Sequence, residues 1–231
     1  MSIEVWQAEQ HRLKDMLCLD GNLDHLKHVV GVDISYIKGT NDAVCTAVLL
    51  NYPGWSVIDH ITHHVTITEP YIAGYLAFRE VDHYLRAYQE LKDKYPEWCS
   101  DLILVDGNGI LHPSGFGLAS HLGVLLDVPT IGCAKKLHLI DGLTKIKPNT
   151  EARAQAKAIQ GQSGKIYGWA VTTDNTTNPV YFSPGHKVSL ESVYHFAISA
   201  CLYREPEPTR VADRISRDAI RRITSKHCHG S

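Results

Sequence analysis

Apolar residues follow one rhythm over roughly the first third of the chain and another after it. The opening stretch, residues 3–18, reads as a helix that ends near "LDGN". "HLKHVVGVDISYI" (25–37) is then rich in β-branched residues and stops at Lys38-Gly39, which predicts a strand. "DAVCTAVLLN" (42–51) predicts a second strand, Pro53-Gly54 a turn, and "WSVIDHITHHVTI" (55–67) a third strand. Three strands joined by short turns make an antiparallel meander.

From residue 75 the period changes. Apolar side chains at Ala77, Val81, Tyr84, Tyr88 and Leu91 fall at helical spacing and predict a helix over 75–94. "DLILVDGNG" (101–109) is short and continuously apolar, as in a strand buried on both faces. "GLASHLGVLLD" reads as a helix and "VPTIGCAKK" as another strand, an alternation that calls for parallel pairing with right-handed crossovers. Residues 138–164 are polar and rich in Gly and Lys, which predicts an insertion with a short helix near 150–160. "KIYGWAVTT" and "PVYFSPG" predict an edge hairpin. Two helices finish the chain, over 189–203 with Ser189 as its cap and Glu191 in the first turn, and over 209–226. The expected fold is α/β over one domain, 1–231: a central mixed sheet, meander plus parallel strands, flanked by helices. That order resembles the ribonuclease H-like architecture.

Composition narrows the function classes. The 231 residues are 44% hydrophobic, enough for a full core, and no run approaches the roughly 20 apolar residues that span a bilayer. The N-terminus lacks the basic-then-apolar order of a secretion signal, so a cytosolic or nuclear protein without a membrane partner is expected. Six scattered cysteines form no CxxC pair and read as reduced thiols. Fourteen histidines include no HExxH or zinc-finger spacing, and the tail "HCHGS" reads as a frayed terminus. Between Arg204 and Lys226 seven basic residues face four acids, on a chain whose net charge is −2. A basic end on an acidic body points to a phosphate-bearing ligand, although a solvated amphipathic helix explains it equally well alone.

The acids carry more information. Asp33 sits inside "VVGVDIS", and Asp106 stands where "LILV" runs into Gly107. The carboxyl end of a buried strand beside a glycine turn is where α/β sheets bind ligands. Glu80 interrupts the apolar flank of the 75–94 helix, and Asp213 lies on the final helix. Singly, each acid is as well explained by a cap or a salt bridge. Together they would repel at low dielectric, and a hard cation relieves that cost. Oxygen donors without a histidine–cysteine cluster favour Mg²⁺, with Mn²⁺ as a substitute, and such ions suit phosphodiester hydrolysis. His112 in "HPSGFG" follows Asp106, and Lys135 in "CAKKL" follows a strand end, where its ammonium can neutralise a scissile phosphate.

Six segments in series, "VGVDISY", "EPYIAGYLAFRE", "LVDGNGILHPSGFGLASHLGV", "VPTIGCAKKL", "SPGHKVSLESV" and "EPEPTRVADRISR", resemble endonuclease V over nearly the whole chain. The resemblance implies a ribonuclease H-like fold and Mg²⁺-dependent cleavage at the second phosphodiester bond 3′ of an inosine, leaving a 3′-hydroxyl and a 5′-phosphate. It implies metal-binding acids at Asp33, Glu80, Asp106 and Asp213, and reacting groups at His112 and Lys135. It also implies a wedge at Pro70, Tyr71, Ile72, Ala73 and Gly74. A base pocket is expected from Gly74, Leu76, Gly107, Gly117 and Leu118. Ala73 and Asn108 look more like eukaryotic members than bacterial ones, which implies inosine-containing single-stranded RNA as the preferred partner over deoxyinosine DNA. A monomer is expected.

Two other classes compete. "VGVDISYIKGT" also resembles the phosphate-binding opening of actin-like sugar kinases, but the chain has no second Asp-Gly-Gly-Thr-like segment. A protein that binds inosine without cutting would have no use for three such acids.

Overall fold

The computed structural model describes residues 2–98, 101–146, 155–173 and 178–228. The expected tail "HCHGS" lies largely outside them. The elements in chain order are α1 (Ile3–Lys14), β1 (His28–Tyr36), β2 (Asp42–Asn51), β3 (Val57–Thr66), α2 (Ala77–Lys94), β4 (Ile103–Asp106), α3 (Leu118–Leu126), β5 (Thr130–Ala134), β6 (Gln155–Gln160), β7 (Ile166–Thr172), β8 (Val180–His186), α4 (Leu190–Ala200) and α5 (Glu207–Cys228). Strands β1, β2 and β3 form the antiparallel meander. β4 pairs parallel with β1, and β5 parallel with β4. One sheet of eight strands results, in the order β3-β2-β1-β4-β5-β8-β7-β6. This is the mixed α/β, ribonuclease H-like arrangement that the sequence predicts.

Residues 155–160 are the exception. The sequence predicts a helix across 150–160; the described part of it is strand β6, antiparallel to β7, and residues 150–154 lie outside the described residues. Ala, Gln and Lys favour helix locally, but Ile159 is buried in a small cluster with Leu111, Ala170 and Tyr181, and this pairing overrides the propensity. The expected edge hairpin is correspondingly internal. β8 joins β5, and β6 takes the edge. The opening helix also stops earlier than expected, at Lys14.

Each face of the sheet has its own core. Val30, Val32 and Ile34 of β1 pack with Val81, Tyr84, Tyr88 and Leu91 of α2 and with Leu118 and Leu122 of α3. Val29 of β1 and Val48 and Leu50 of β2 pack on the other side with Phe196 and Ala197 of α4 and Val211 and Ala212 of α5. The Ser189 hydroxyl accepts from Ser192 N–H and caps α4, as predicted. Gly31 shapes this second layer. A Cβ there would stand 2.2 Å from the Pro208 carbonyl oxygen, so only glycine lets the start of α5 lie against β1.

Candidate active site

The parallel register pairs Val32 with Val105, so the next residues on the two strands, Asp33 and Asp106, stand side by side where β4 ends and β1 runs on past it. Period-2 alternation turns Asp33 and Ser35 toward α5, on the face of Gly31. There the Ser216 hydroxyl donates to Asp33 Oδ2 at 2.7 Å, and the Ser35 hydroxyl to the same oxygen at 3.1 Å. Asp213, one turn earlier on α5, joins them, held at 2.7 Å by Arg217. Asp33, Asp106, Lys135 and Asp213 line one cleft of about 530 Å³, with Tyr36, Arg217 and Arg221 around them.

Glu80 comes from the opposite layer. Its side chain is buried on the flank of α2, and it does not line the cleft directly. Tyr36, which does, donates its hydroxyl to Glu80 Oε1 at 2.6 Å, while Tyr84 donates to Oε2 at 3.4 Å. Arg79 closes this group, with Nε 3.1 Å from the Tyr36 oxygen and its guanidinium over the Tyr36 ring.

Burial dominates the electrostatics. It pushes the Asp33 carboxyl up to about 6 against the Ser216 hydrogen bond, and the charges of Asp106 and Asp213 push the same way. Burial pushes Glu80 up to about 7 in spite of its tyrosine partners, with Asp106 and Asp33 adding to the rise. Asp106 is raised by burial and by Glu205 and Asp213, with Lys135 opposing. Lys135 Nζ is 3.6 Å from Asp106 and 3.0 Å from Glu205. Acids that raise one another's proton affinity form an all-oxygen donor set that a hard divalent cation suits. As the side chains stand, no three acid, histidine or cysteine groups among the described residues surround a single point; each carboxylate is turned to a serine, tyrosine, lysine or arginine partner.

The other expected residues divide. His112 lies outside the cleft lining, 5.4 Å from the His138 ring, and burial lowers its pKa to about 4. Its Nδ1 meets the Ser114 hydroxyl at 2.9 Å and the Ser114 N–H at 3.3 Å. With its pKa so lowered, His112 is neutral at neutral pH. Pro70, Tyr71 and Ala73 are exposed, Tyr71 by 68%, while Ile72 and Leu76 are half-buried. Gly74 turns the loop at φ +87°, and a Cβ there would come 3.9 Å from His112 Cε1. Gln10 of α1 donates to the Gly74 carbonyl at 3.3 Å and to the Phe116 carbonyl at 3.0 Å. It thereby ties the wedge to the loop of His112. Gly107 touches Leu118. Leu118 and Gly117 are buried, and Gly117 N–H is taken by the Gly109 carbonyl.

Sequence reasoning missed Ser35, Tyr36, Arg79, Glu205 and Ser216. Ser35 was within reach of it, two residues from Asp33 on the same strand face. Ser216 was not, since it meets Asp33 across 183 residues.

Carboxylates gathered at the strand ends of a ribonuclease H-like sheet, faced by a lysine and two arginines, define a nuclease-type centre. The endonuclease V family model matches residues 11–214. Human endonuclease V is 39% identical over 96% of this chain and 84% of its own length. The crystal structure of the catalytic domain of the human enzyme superposes with a TM-score of 0.89 at 37% identity, covering 96% of this chain and 97% of that one. Endonuclease V from Ciona intestinalis, solved in complex with a 24mer DNA containing an inosine followed by a ribo-adenosine, superposes with a TM-score of 0.87 at 33% identity, covering 96% and 98%. The chain belongs to the endonuclease V family.

Proposed function

We propose that this protein is a Mg²⁺-dependent endonuclease that cleaves inosine-containing nucleic acid, with single-stranded RNA preferred over deoxyinosine DNA. The observation that carries the reading is the gathering of Asp33, Asp106 and Asp213 on one cleft, with Glu80 behind Tyr36, where Asp106 raises the proton affinity of both Asp33 and Glu80. Asp33, Asp106 and Asp213, with Glu80 behind Tyr36, would hold the cation, and Mn²⁺ would substitute for Mg²⁺. When bound, it would lower the pKa of water and stabilise the departing oxygen.

The chain's own groups supply the rest. Lys135, already between Asp106 and Glu205, offers an ammonium to the scissile phosphate, the second bond 3′ of the inosine. His112 offers a ring N–H to an oxygen of the strand. Exposed Tyr71 stacks in the gap left by the extruded base, recovering about 1 to 3 kcal/mol of the few that extrusion costs. Hypoxanthine presents N1–H as donor and O6 as acceptor, the reverse of adenine, so backbone groups near Gly74 and Gly107 can discriminate between them. Products are a 3′-hydroxyl and a 5′-phosphate. The ribo-adenosine after the inosine in the Ciona complex and the family pattern at Ala73 and Asn108 support the RNA preference. Among the described residues no helix is long and apolar enough to cross a membrane. We place the activity in the cytosol or nucleus.

The test is cleavage of matched single-stranded oligonucleotides that carry inosine in RNA or deoxyinosine in DNA, with Mg²⁺ and with chelator. RNA should be cut faster, and only with the ion. Retention of inosine RNA without cutting would favour a binding protein. Cutting in chelator would refute the cation.

A further inference from the structure

A second groove of about 650 Å³ begins where the acid cleft ends, and Lys135 lines both. Its other charged groups among the described residues are Lys136, Lys145 and Arg204, and no carboxylate lines it among those residues. Lys136 and Lys145 are exposed, and among the described residues neither forms an ion pair. Arg204 is half-buried, and its Nε has no hydrogen-bond partner. Several cations elsewhere are neutralised, Arg12 by Glu9, Lys94 by Asp59, Lys187 by Asp127 and Arg210 by Glu207. Lys136, Lys145 and the unpartnered Nε of Arg204 thus place positive charge beside the site, on a chain of net charge −2. Between the cations the groove is apolar, with Leu139 exposed by 59% and Tyr181 beneath.

We propose that this groove carries the flank of a single-stranded nucleic acid as it leaves the cleft past Lys135. Three features favour that occupant. The groove is continuous with the site where the strand is cut. Its cations line one groove and meet no acid in its described lining, so they suit a backbone of phosphates. Its apolar surface offers bases a place to stack, which only unpaired bases can use. The inference rests on the proposed nuclease reading for its direction of travel, but its test does not need inosine or cleavage.

The test compares Lys136→Gln/Lys145→Gln with the parent in the full chain, by fluorescence anisotropy on labelled single-stranded RNA without inosine, in chelator, across a salt series. Loss of two phosphate contacts should weaken binding about tenfold and flatten the slope of log affinity against log salt by about 1.4. The comparison pair Lys27→Gln/Lys92→Gln stands away from the groove, before β1 and in the last turn of α2. It should stay within about twofold of the parent. The groove is refuted if its own pair binds like the parent with an unchanged slope, or if the distant pair loses as much. Duplex RNA bound as tightly as the single strand, with the same loss on substitution, would refute the single-strand assignment. A protein that never cuts inosine RNA but still shows the groove effect would fail the nuclease reading alone.

Discussion

The cleft and the wedge loop are built on opposite plans. Asp33 and Glu80 are buried, Asp106 and Asp213 half-buried, and hydroxyls, a lysine or an arginine hold them on elements of the sheet and its two helix layers. The wedge at residues 70–74 projects its proline, tyrosine and alanine into solvent and is tied at its base, where Gln10 donates to the Gly74 carbonyl and Tyr75 N–H to the Ile72 carbonyl. Groups that hold charge at a reacting bond must be fixed beforehand. A ring that enters a nucleic acid gains from being unburied until its partner arrives. One region therefore stores unfavourable electrostatics in a rigid frame, and the other stores exposed aromatic surface on a short tether.

Substitution in each region should separate the two plans. Asp33→Asn is expected to lower cleavage by about 10²- to 10³-fold or more, the scale of one preorganised electrostatic partner. It should also stabilise the ion-free protein. The Asp33 carboxyl titrates near 6 when folded and near 3.8 as a free side chain, so the unfolded chain has fewer protons than the folded one between those values. This group's contribution therefore falls as pH rises through that window. The gain of Asp33→Asn over the parent should widen by roughly 1 to 2 kcal/mol between pH 5 and pH 8, read by thermal melts in chelator. A gain that narrows instead would mean the carboxyl is not buried as described.

Tyr71→Ala comes next, with about a tenfold loss on structured inosine substrates and less on unstructured single strands. Equal losses on both would remove the stacking role. Its melting temperature should match the parent's, since so exposed a ring contributes little to the core. Gly74→Ala is the mildest. Space is available toward His112, but the positive φ is not favourable for alanine, so about 1 kcal/mol of stability should be lost, a melting shift of about 2–4 °C. A larger drop would mean that the tether supports the fold and not only the ring.

The meander, α2 and the β4–α3–β5 unit were legible because their apolar periods are unbroken and their partners adjacent in sequence. Asp33, Asp106 and Glu80 were legible because a charge inside an apolar run contradicts its surroundings. β6 was not, since its Ala, Gln and Lys residues say helix and only β7 makes it a strand. Nor were Tyr36 or Glu205, whose importance lies in contacts with Glu80 and Lys135 that no local pattern encodes. His112 was legible as a candidate, but its neutral state comes from burial.

The packing of Gly31 against Pro208 has a consequence for biosynthesis. The first strand and last helix share one surface, so a chain still emerging from the ribosome has no wall for Asp33 until α5 is clear of the tunnel. Asp33 gains its hydrogen bond from Ser216 only once the last helix has docked on the first strand.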